Sequence, residues 1–140
     1  MVDCSLSSTG VAFGVYDPLA PSPTDSVGGI TVACSHVSGG ATRVSYSVAL
    51  TTGSSGSYAA RQLRAGPLRL DYNLFLDTGR SLVWGNGTGG TGVAGGNLTI
   101  GPGVGNRRRE FEHSVYGRIP ALQDVLSGSY TDTIIVTLEF

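Results

Sequence analysis

The sequence contains no lysine and little charge of either sign. Its nine basic residues are all arginine, and charged residues make up only 14% of the 140. A formal net charge of −1 produces no broad field that would attract nucleic acid or an anionic membrane. No apolar run reaches the length of a membrane span, and the first residues do not resemble a signal peptide. We therefore expect neither nucleic-acid binding nor membrane insertion, and either a leader has been removed or the protein stays in the cytosol.

Helical patterning is nearly absent as well. Glycine reaches 22 residues, and only residues 122–126 show apolar positions at helical spacing, which is one turn at most. Serine, threonine and valine are frequent and glycine clusters separate them, a composition typical of β-strands joined by turns. Six to eight strands at this spacing predict an all-β protein, a β-sandwich in a single domain spanning residues 1–140.

Alternation of apolar and polar residues places the strands. We expect them at residues 6–16, 27–35, 42–51, 68–76, 81–84, 97–100, 107–118 and, after a turn at residues 128–132, at 133–140. A further candidate is a short edge strand at residues 58–65, which carries Arg61 and Arg64. The glycine-rich run 85–96 is predicted to be a flexible hairpin loop, because it lacks the lysine and the following helix of a phosphate-binding loop. The last strand is the most informative one, since nothing in the sequence follows Phe140 to pair with it. Its open edge must be covered by an earlier strand or by another chain, and we favour another chain.

No pattern predicts catalysis, a cofactor or a metal site. The two cysteines form no Cys-x-x-Cys motif, and His36 and His113 lie on different predicted strands without the spacing of metal ligands. The sequence also lacks the Gly-x-Ser-x-Gly motif of a serine hydrolase. We expect a protein that is not an enzyme, with a secreted hydrolase on a β-sandwich as the alternative from another class.

The cysteines are better explained by a disulfide. Cys4 precedes the first predicted strand and Cys34 ends the second, so a bond between adjacent strands is favoured over two unrelated buried thiols. Closing a loop of about 30 residues would stabilise the fold by roughly 3–4 kcal/mol. Such a bond implies an oxidising compartment, either the periplasm or the outside of the cell.

Short motifs recur in a fixed order along nearly the whole chain. After Cys4 come Phe13-Gly-Val-Tyr-Asp-Pro18, Ile30-Thr-Val-Ala-Cys34, Tyr72-Asn-Leu-Phe75, Trp84-Gly-Asn-Gly-Thr-Gly-Gly90, Tyr116-Gly-Arg-Ile-Pro120 and Gly128-Ser-Tyr-Thr-Asp-Thr133. In their order and spacing these motifs resemble the spore coat protein U domain family, which includes the subunits of archaic chaperone–usher pili. The sequence departs from the family pattern at Leu122, where glycine usually precedes Gln123.

The resemblance implies an immunoglobulin-like β-sandwich that lacks its final strand. A periplasmic chaperone would fill the resulting groove first, and a neighbouring pilus subunit would fill it later at the outer-membrane usher by β-strand addition. We expect the groove walls to comprise residues on the first and last strands: Val11, Phe13, Ile134, Val136, Leu138 and Phe140. The implied function is that of an exported, extracellular structural subunit of a pilus or coat that supports adhesion and biofilm formation.

The alternative within this family is a tip adhesin domain that binds a surface or ligand through its loops. Only three residues precede Cys4, so the sequence as given is expected to accept a strand but not to donate one. Removal of a donor segment would explain the same fact. Candidate contact residues lie in the proline-rich loop 17–25, where Leu19 is expected at an exposed tip, and beside the glycine-rich run: Pro18, Leu19, Pro21 and Trp84. Most aromatic residues are expected in the core, with exposure of Trp84 as the alternative.

Overall fold

The computed structural model describes residues 1–103 and 107–140. Within these residues eight strands pair antiparallel in two sheets. The strands are β1 (Val2–Thr9), β2 (Thr24–His36), β3 (Thr42–Leu50), β4 (Arg61–Ala65), β5 (Leu68–Phe75), β6 (Ala94–Ile100), β7 (Arg108–Ile119) and β8 (Val136–Glu139). A five-stranded sheet has the order β1-β2-β7-β5-β4, and a three-stranded sheet has the order β6-β3-β8. The predicted all-β sandwich is confirmed.

The hydrophobic core lies between the two sheets. Along β2, Ile30, Val32 and Cys34 alternate with less buried residues and are at most 3% exposed. Along β3, Val48 and Leu50 are buried in the same way from the opposite side. Because side chains of a strand alternate between its faces, each sheet presents one apolar face to the other and one polar face to solvent.

The predicted disulfide is confirmed. Cys4 on β1 and Cys34 on β2 are direct cross-strand partners, with 4.0 Å between their Cα atoms and a sequence separation of 30 residues. The bond ties β1, which forms one edge of the five-stranded sheet, to the long strand beside it.

The first strand ends earlier than the alternation predicted. β1 stops at Thr9, and residues 10–15 leave the sheet edge and pack across its inner face. Two glycines make room for this crossing: a Cβ at Gly28 would lie 2.6 Å from the Thr9 carbonyl oxygen, and one at Gly117 would lie 2.6 Å from the ring of Phe13. The predicted strand over residues 6–16 is therefore wrong beyond Thr9.

The glycine-rich run 85–96 is not a loop over its whole length. Residues 81–84 form only single bridges, Val83 to Phe75 and Trp84 to Gly92, and β6 already begins at Ala94. A Cβ at Gly96 would lie 2.9 Å from the ring of Tyr46. Glycine is thus used here for close approach to an aromatic side chain and not only for flexibility.

The final strand is also shorter than predicted. Only Val136–Glu139 pair with β3, whereas the alternation predicted a strand over residues 133–140. β8 is an edge strand: in the part of the chain that the structure describes, its side away from β3 has no ladder partner. Over the same residues, no helix is both long enough and apolar enough to cross a membrane.

Candidate functional site

A groove of about 420 Å³ opens beside β8, between the chain that leaves the end of β1 and the chain that leads into β8. Residues 8–14 form one wall and residues 129–136 contribute the other. The floor consists of apolar side chains from both sheets, namely Ile30, Leu50, Leu63, Tyr72, Leu74 and Val115. An apolar floor below an unpaired strand edge offers both side-chain pockets and free backbone hydrogen-bonding groups.

The structure brings together four of the six residues expected in the groove walls. Val11, Phe13, Ile134 and Val136 line the groove and are partly buried. Leu138 is partly buried against the core outside the groove lining, and Phe140 is 58% exposed. The last two residues lie further along the chain than the groove extends.

The wall formed by residues 129–136 is joined to both sheets. Thr131 exchanges two backbone hydrogen bonds with Arg64 on β4, of 2.7 and 2.9 Å. Further on, the Ile135 amide donates to Oγ1 of Thr51 (3.0 Å), and the Thr51 amide donates to the Ile135 carbonyl (3.1 Å). This wall therefore crosses from the five-stranded sheet to the end of β3 in the three-stranded sheet.

Asp132 lies at the centre of this crossing and faces the groove. Its Oδ2 accepts a 2.6 Å hydrogen bond from the Tyr72 hydroxyl, and its Oδ1 accepts from the backbone amides of Ser54 (3.0 Å) and Thr133 (2.9 Å). Burial, followed by the hydrogen bond to the Asp132 carboxylate, raises the pKa of Tyr72 far above its ordinary value. Tyr72 therefore remains a hydrogen-bond donor to Asp132 at any physiological pH.

A buried arginine supports the same wall from below. Arg61 is 0% exposed, and its Nη2 donates to the carbonyl oxygens of Thr51 (2.8 Å) and Trp84 (2.6 Å). Its Nη1 donates to Oδ1 of Asn73 at 2.9 Å. Burial lowers the pKa of the guanidinium from its ordinary value. The sequence placed Arg61 correctly on an edge strand, but its side chain points into the core and its role was missed.

Beyond Thr9, hydrogen bonds anchor the opposite wall at Ala12 and Tyr16. The Ser26 hydroxyl donates to the Ala12 carbonyl at 2.8 Å, and the Tyr16 amide donates to the Gly128 carbonyl at 2.8 Å. Between these points Phe13 packs edge-on against Tyr72 with 6.0 Å between ring centroids. Residues 10–15 belong to no strand.

The candidate surface residues divide into two groups. In the proline-rich loop Leu19 is 84% exposed, Pro21 is exposed and Pro18 is partly buried. Trp84 is 0% exposed, and its Nε1 donates to the Val48 carbonyl at 2.9 Å. The suggestion that Trp84 is exposed is wrong, because the segment that carries it folds into the space between the sheets. The expectation that it is a core aromatic residue is confirmed.

A two-sheet sandwich with an apolar groove beside an unpaired strand edge is typical of domains that bind an extended segment by β-strand addition. This chain belongs to the spore coat protein U domain family, whose model matches residues 1–137. It is 30% identical over 148 residues to Protein U of Myxococcus xanthus, an alignment that covers 98% of this chain and 77% of that protein.

A solved structure has a similar fold. The chain matches one chain in the crystal structure of the CsuC–CsuE chaperone–tip adhesion subunit pre-assembly complex from archaic chaperone–usher Csu pili of Acinetobacter baumannii. The TM-score is 0.56 and the sequence identity 25%, over 100% of this chain and 40% of that chain. This chain thus spans less than half of the length of the chain that it matches.

Proposed function

We propose that this chain is a non-enzymatic, exported subunit of a chaperone–usher pilus or a related coat, and that it accepts a β-strand from a partner chain. The observation that carries the proposal is the groove beside β8, which combines an apolar floor with an unpaired strand edge. Val11, Phe13, Ile134 and Val136 are its wall residues, with Leu138 and Phe140 as the continuation of the strand edge beyond the groove.

The donated strand lies between β8 and residues 10–15. Its backbone completes the hydrogen bonds of the β8 edge, and every second side chain enters the groove. Each large aliphatic side chain that is transferred from water into such a site contributes about 1.5–3 kcal/mol. The backbone supplies affinity, and the alternation of side chains fixes the register.

The proposed partners follow from the groove and the relatives. A periplasmic chaperone occupies the groove first, and a neighbouring subunit replaces it at the outer-membrane usher. The similarity to a chain from a chaperone–tip adhesion subunit complex supports a chaperone as one partner. The disulfide between Cys4 and Cys34 fits passage through an oxidising periplasm to the extracellular side. Residues 1–140 act as one domain in this proposal.

A linked donor strand tests the proposal. A strand of about ten residues with alternating valine and threonine is joined to Phe140 through a flexible glycine–serine linker. Burial of two or more valines should raise the free energy of unfolding by about 3 kcal/mol or more in urea denaturation. The matched control has valine and threonine exchanged at every position, which presents threonine to the pockets that valine would fill. Equal unfolding free energies for linked and unlinked chains would rule out a strand-accepting groove.

Exposed apolar residues favour a tip adhesin as the second candidate. Leu19 is 84% exposed and nearby Val15 is 68% exposed, although both are apolar. In that role the loop residues Pro18, Leu19 and Pro21 contact a surface, which would support adhesion and biofilm formation. Leu19→Ser should then reduce retention of the protein on an apolar surface without changing its unfolding free energy. Unchanged retention would remove this candidate and leave the strand-accepting role intact.

A further inference from the structure

The wall that contains Asp132 is extended although most of it has no strand partner. Exposure alternates from residue 130 to residue 135, with Tyr130, Asp132 and Ile134 less exposed than their neighbours. Thr131 forms a single bridge to β4, and β8 begins only at Val136. Between these two points the backbone is held by contacts other than a sheet ladder.

Two hydrogen bonds join Ile135 to Thr51 at one end of this stretch, and the Asp132 carboxylate adds contacts from two directions. The Tyr72 hydroxyl reaches it from β5 in the five-stranded sheet, at 2.6 Å. The Ser54 amide reaches it from the 3₁₀ turn Gly53–Ser55, which follows β3 of the other sheet, at 3.0 Å. One side chain thus fixes the wall relative to both sheets, with charge-assisted hydrogen bonds that are stronger than neutral ones.

The turn that carries Ser54 is shaped to receive this carboxylate. Gly53 has a φ of +70°, and a Cβ there would overlap Oδ2 of Asp132. Gly56, at the other end of the same turn, has a φ of +72° and open space where a Cβ would be. The two glycines share the same backbone requirement, and only Gly53 also makes room for Asp132.

We propose that Asp132 is a positioning residue for strand addition, which holds residues 130–135 extended through Tyr72 and Ser54 before a donor strand arrives. A wall that is ordered in advance does not have to be ordered during binding, so the donor associates faster. The inference rests on the proposed function of the groove. The ordering of the wall is nevertheless a property of the free chain and can be measured without a donor.

Hydrogen exchange of the free chain tests the ordering. In Asp132→Ala the amides of Thr133 and Ile135 should exchange roughly tenfold faster or more, the factor that corresponds to a lost hydrogen bond to a charged group. Asp132→Asn should restore slow exchange, because its amide keeps an acceptor for Ser54 and can donate to the Tyr72 oxygen. Asp124→Ala, which removes an exposed carboxylate in the preceding loop, should leave the exchange unchanged.

Association of a donor peptide tests the consequence. The probe is a synthetic peptide of about ten residues with alternating valine and threonine. Its association rate constant should fall roughly tenfold in Tyr72→Phe, which deletes only the hydroxyl bound to Asp132. It should fall similarly in Gly53→Ala. Gly56→Ala carries the same backbone strain without touching Asp132 and is the matched control, for which the association rate should remain that of the unmodified chain.

The outcomes separate the two proposals. If the peptide does not associate with the unmodified chain, the proposed function of the groove fails and this inference fails with it. If the peptide associates equally fast with the unmodified chain, Tyr72→Phe and Gly53→Ala, the groove accepts a strand but Asp132 does not position its wall. Unchanged hydrogen exchange in Asp132→Ala would overturn the inference independently of any donor.

Discussion

The hydroxyl of Tyr46 on β3 lies 2.7 Å from Nε2 of His113 on β7, in a hydrogen bond that joins the two sheets across the core. Trp84 packs edge-on against the same imidazole, with 6.5 Å between ring centroids. Gly96 permits this arrangement, since a Cβ there would meet the Tyr46 ring. The sheets are thus connected by a titratable pair as well as by apolar packing.

This pair should make stability depend on pH. Burial lowers the pKa of His113 from its ordinary value of 6.5, so the folded chain favours the neutral imidazole. As the pH falls below about 6.5, the unfolded chain takes up the proton first. The free energy of unfolding should therefore fall between about pH 7 and about pH 5. In His113→Gln this part of the pH dependence should disappear in urea titrations, and an unchanged dependence would contradict the assignment.

Loss of the buried Arg61 should destabilise the fold strongly. Arg61→Ala leaves the carbonyls of Thr51 and Trp84 and the Asn73 side chain without their donor. We expect the free energy of unfolding to fall by about 3 kcal/mol or more. Lysine cannot present the same planar fork of donors, so Arg61→Lys should recover only part of the loss.

Arg69 provides the control for this measurement. It lies on β5 with an exposed side chain, and Arg69→Ala should change the unfolding free energy by less than about 0.5 kcal/mol. If Arg61→Ala and Arg69→Ala lowered the unfolding free energy by similar amounts, the hydrogen bonds of Arg61 would contribute little to stability.

The disulfide should account for a measurable share of the stability. Replacing both Cys4 and Cys34 by alanine should lower the unfolding free energy by roughly 3–4 kcal/mol, because the unfolded chain is no longer cross-linked. Dithiothreitol should lower the stability of the unmodified chain to that of the double variant and leave the variant unaffected. If dithiothreitol lowered the stability of the unmodified chain and of the double variant equally, it would not be acting through the disulfide.

Leu122 should be a site at which glycine stabilises the protein. It is 63% exposed and has a φ of +59°, a left-handed conformation that is costly for leucine. Leu122→Gly should raise the free energy of unfolding by up to about 1 kcal/mol. Leu126 is 68% exposed and is not among the residues with positive φ, so Leu126→Gly should lower it by roughly 0.4–1 kcal/mol. If both substitutions changed the free energy of unfolding in the same direction, backbone strain at Leu122 would not explain the effect of Leu122→Gly.

Half-buried antiparallel strands were the part of the fold most accessible from sequence. On β3 the alternating apolar residues Val44, Tyr46, Val48 and Leu50 are all buried. Every second residue of a strand is apolar when one face of the strand is buried. This alternation therefore located β3, β5 and β7 without knowledge of the neighbouring strands. The departure from the family pattern at Leu122 likewise marked a position with left-handed backbone geometry.

Contacts between different strands and loops could not be predicted from this alternation. The alternation of Val11, Phe13 and Val15 continues past Thr9, yet Val15 is 68% exposed because the chain has crossed the inner face of the sheet beside Gly28. The burial of Trp84 and Arg61 depends on acceptors supplied by distant residues. Asp132 was assigned to a turn because it follows Gly-Ser-Tyr-Thr, although it has the same parity as Ile134 and so shares its inward face.

The central claim is that the edge of β8 is completed by backbone from another polypeptide. Hydrogen exchange at Val136–Glu139 and at residues 10–15, compared between the chain with the linked donor strand and the chain without it, tests this claim most directly. The account predicts slower hydrogen exchange only when the donor is present in the correct register. The slowed amides should be those of β8 that point away from β3 and those of residues 10–15. Equal exchange rates in the linked and unlinked chains would contradict it.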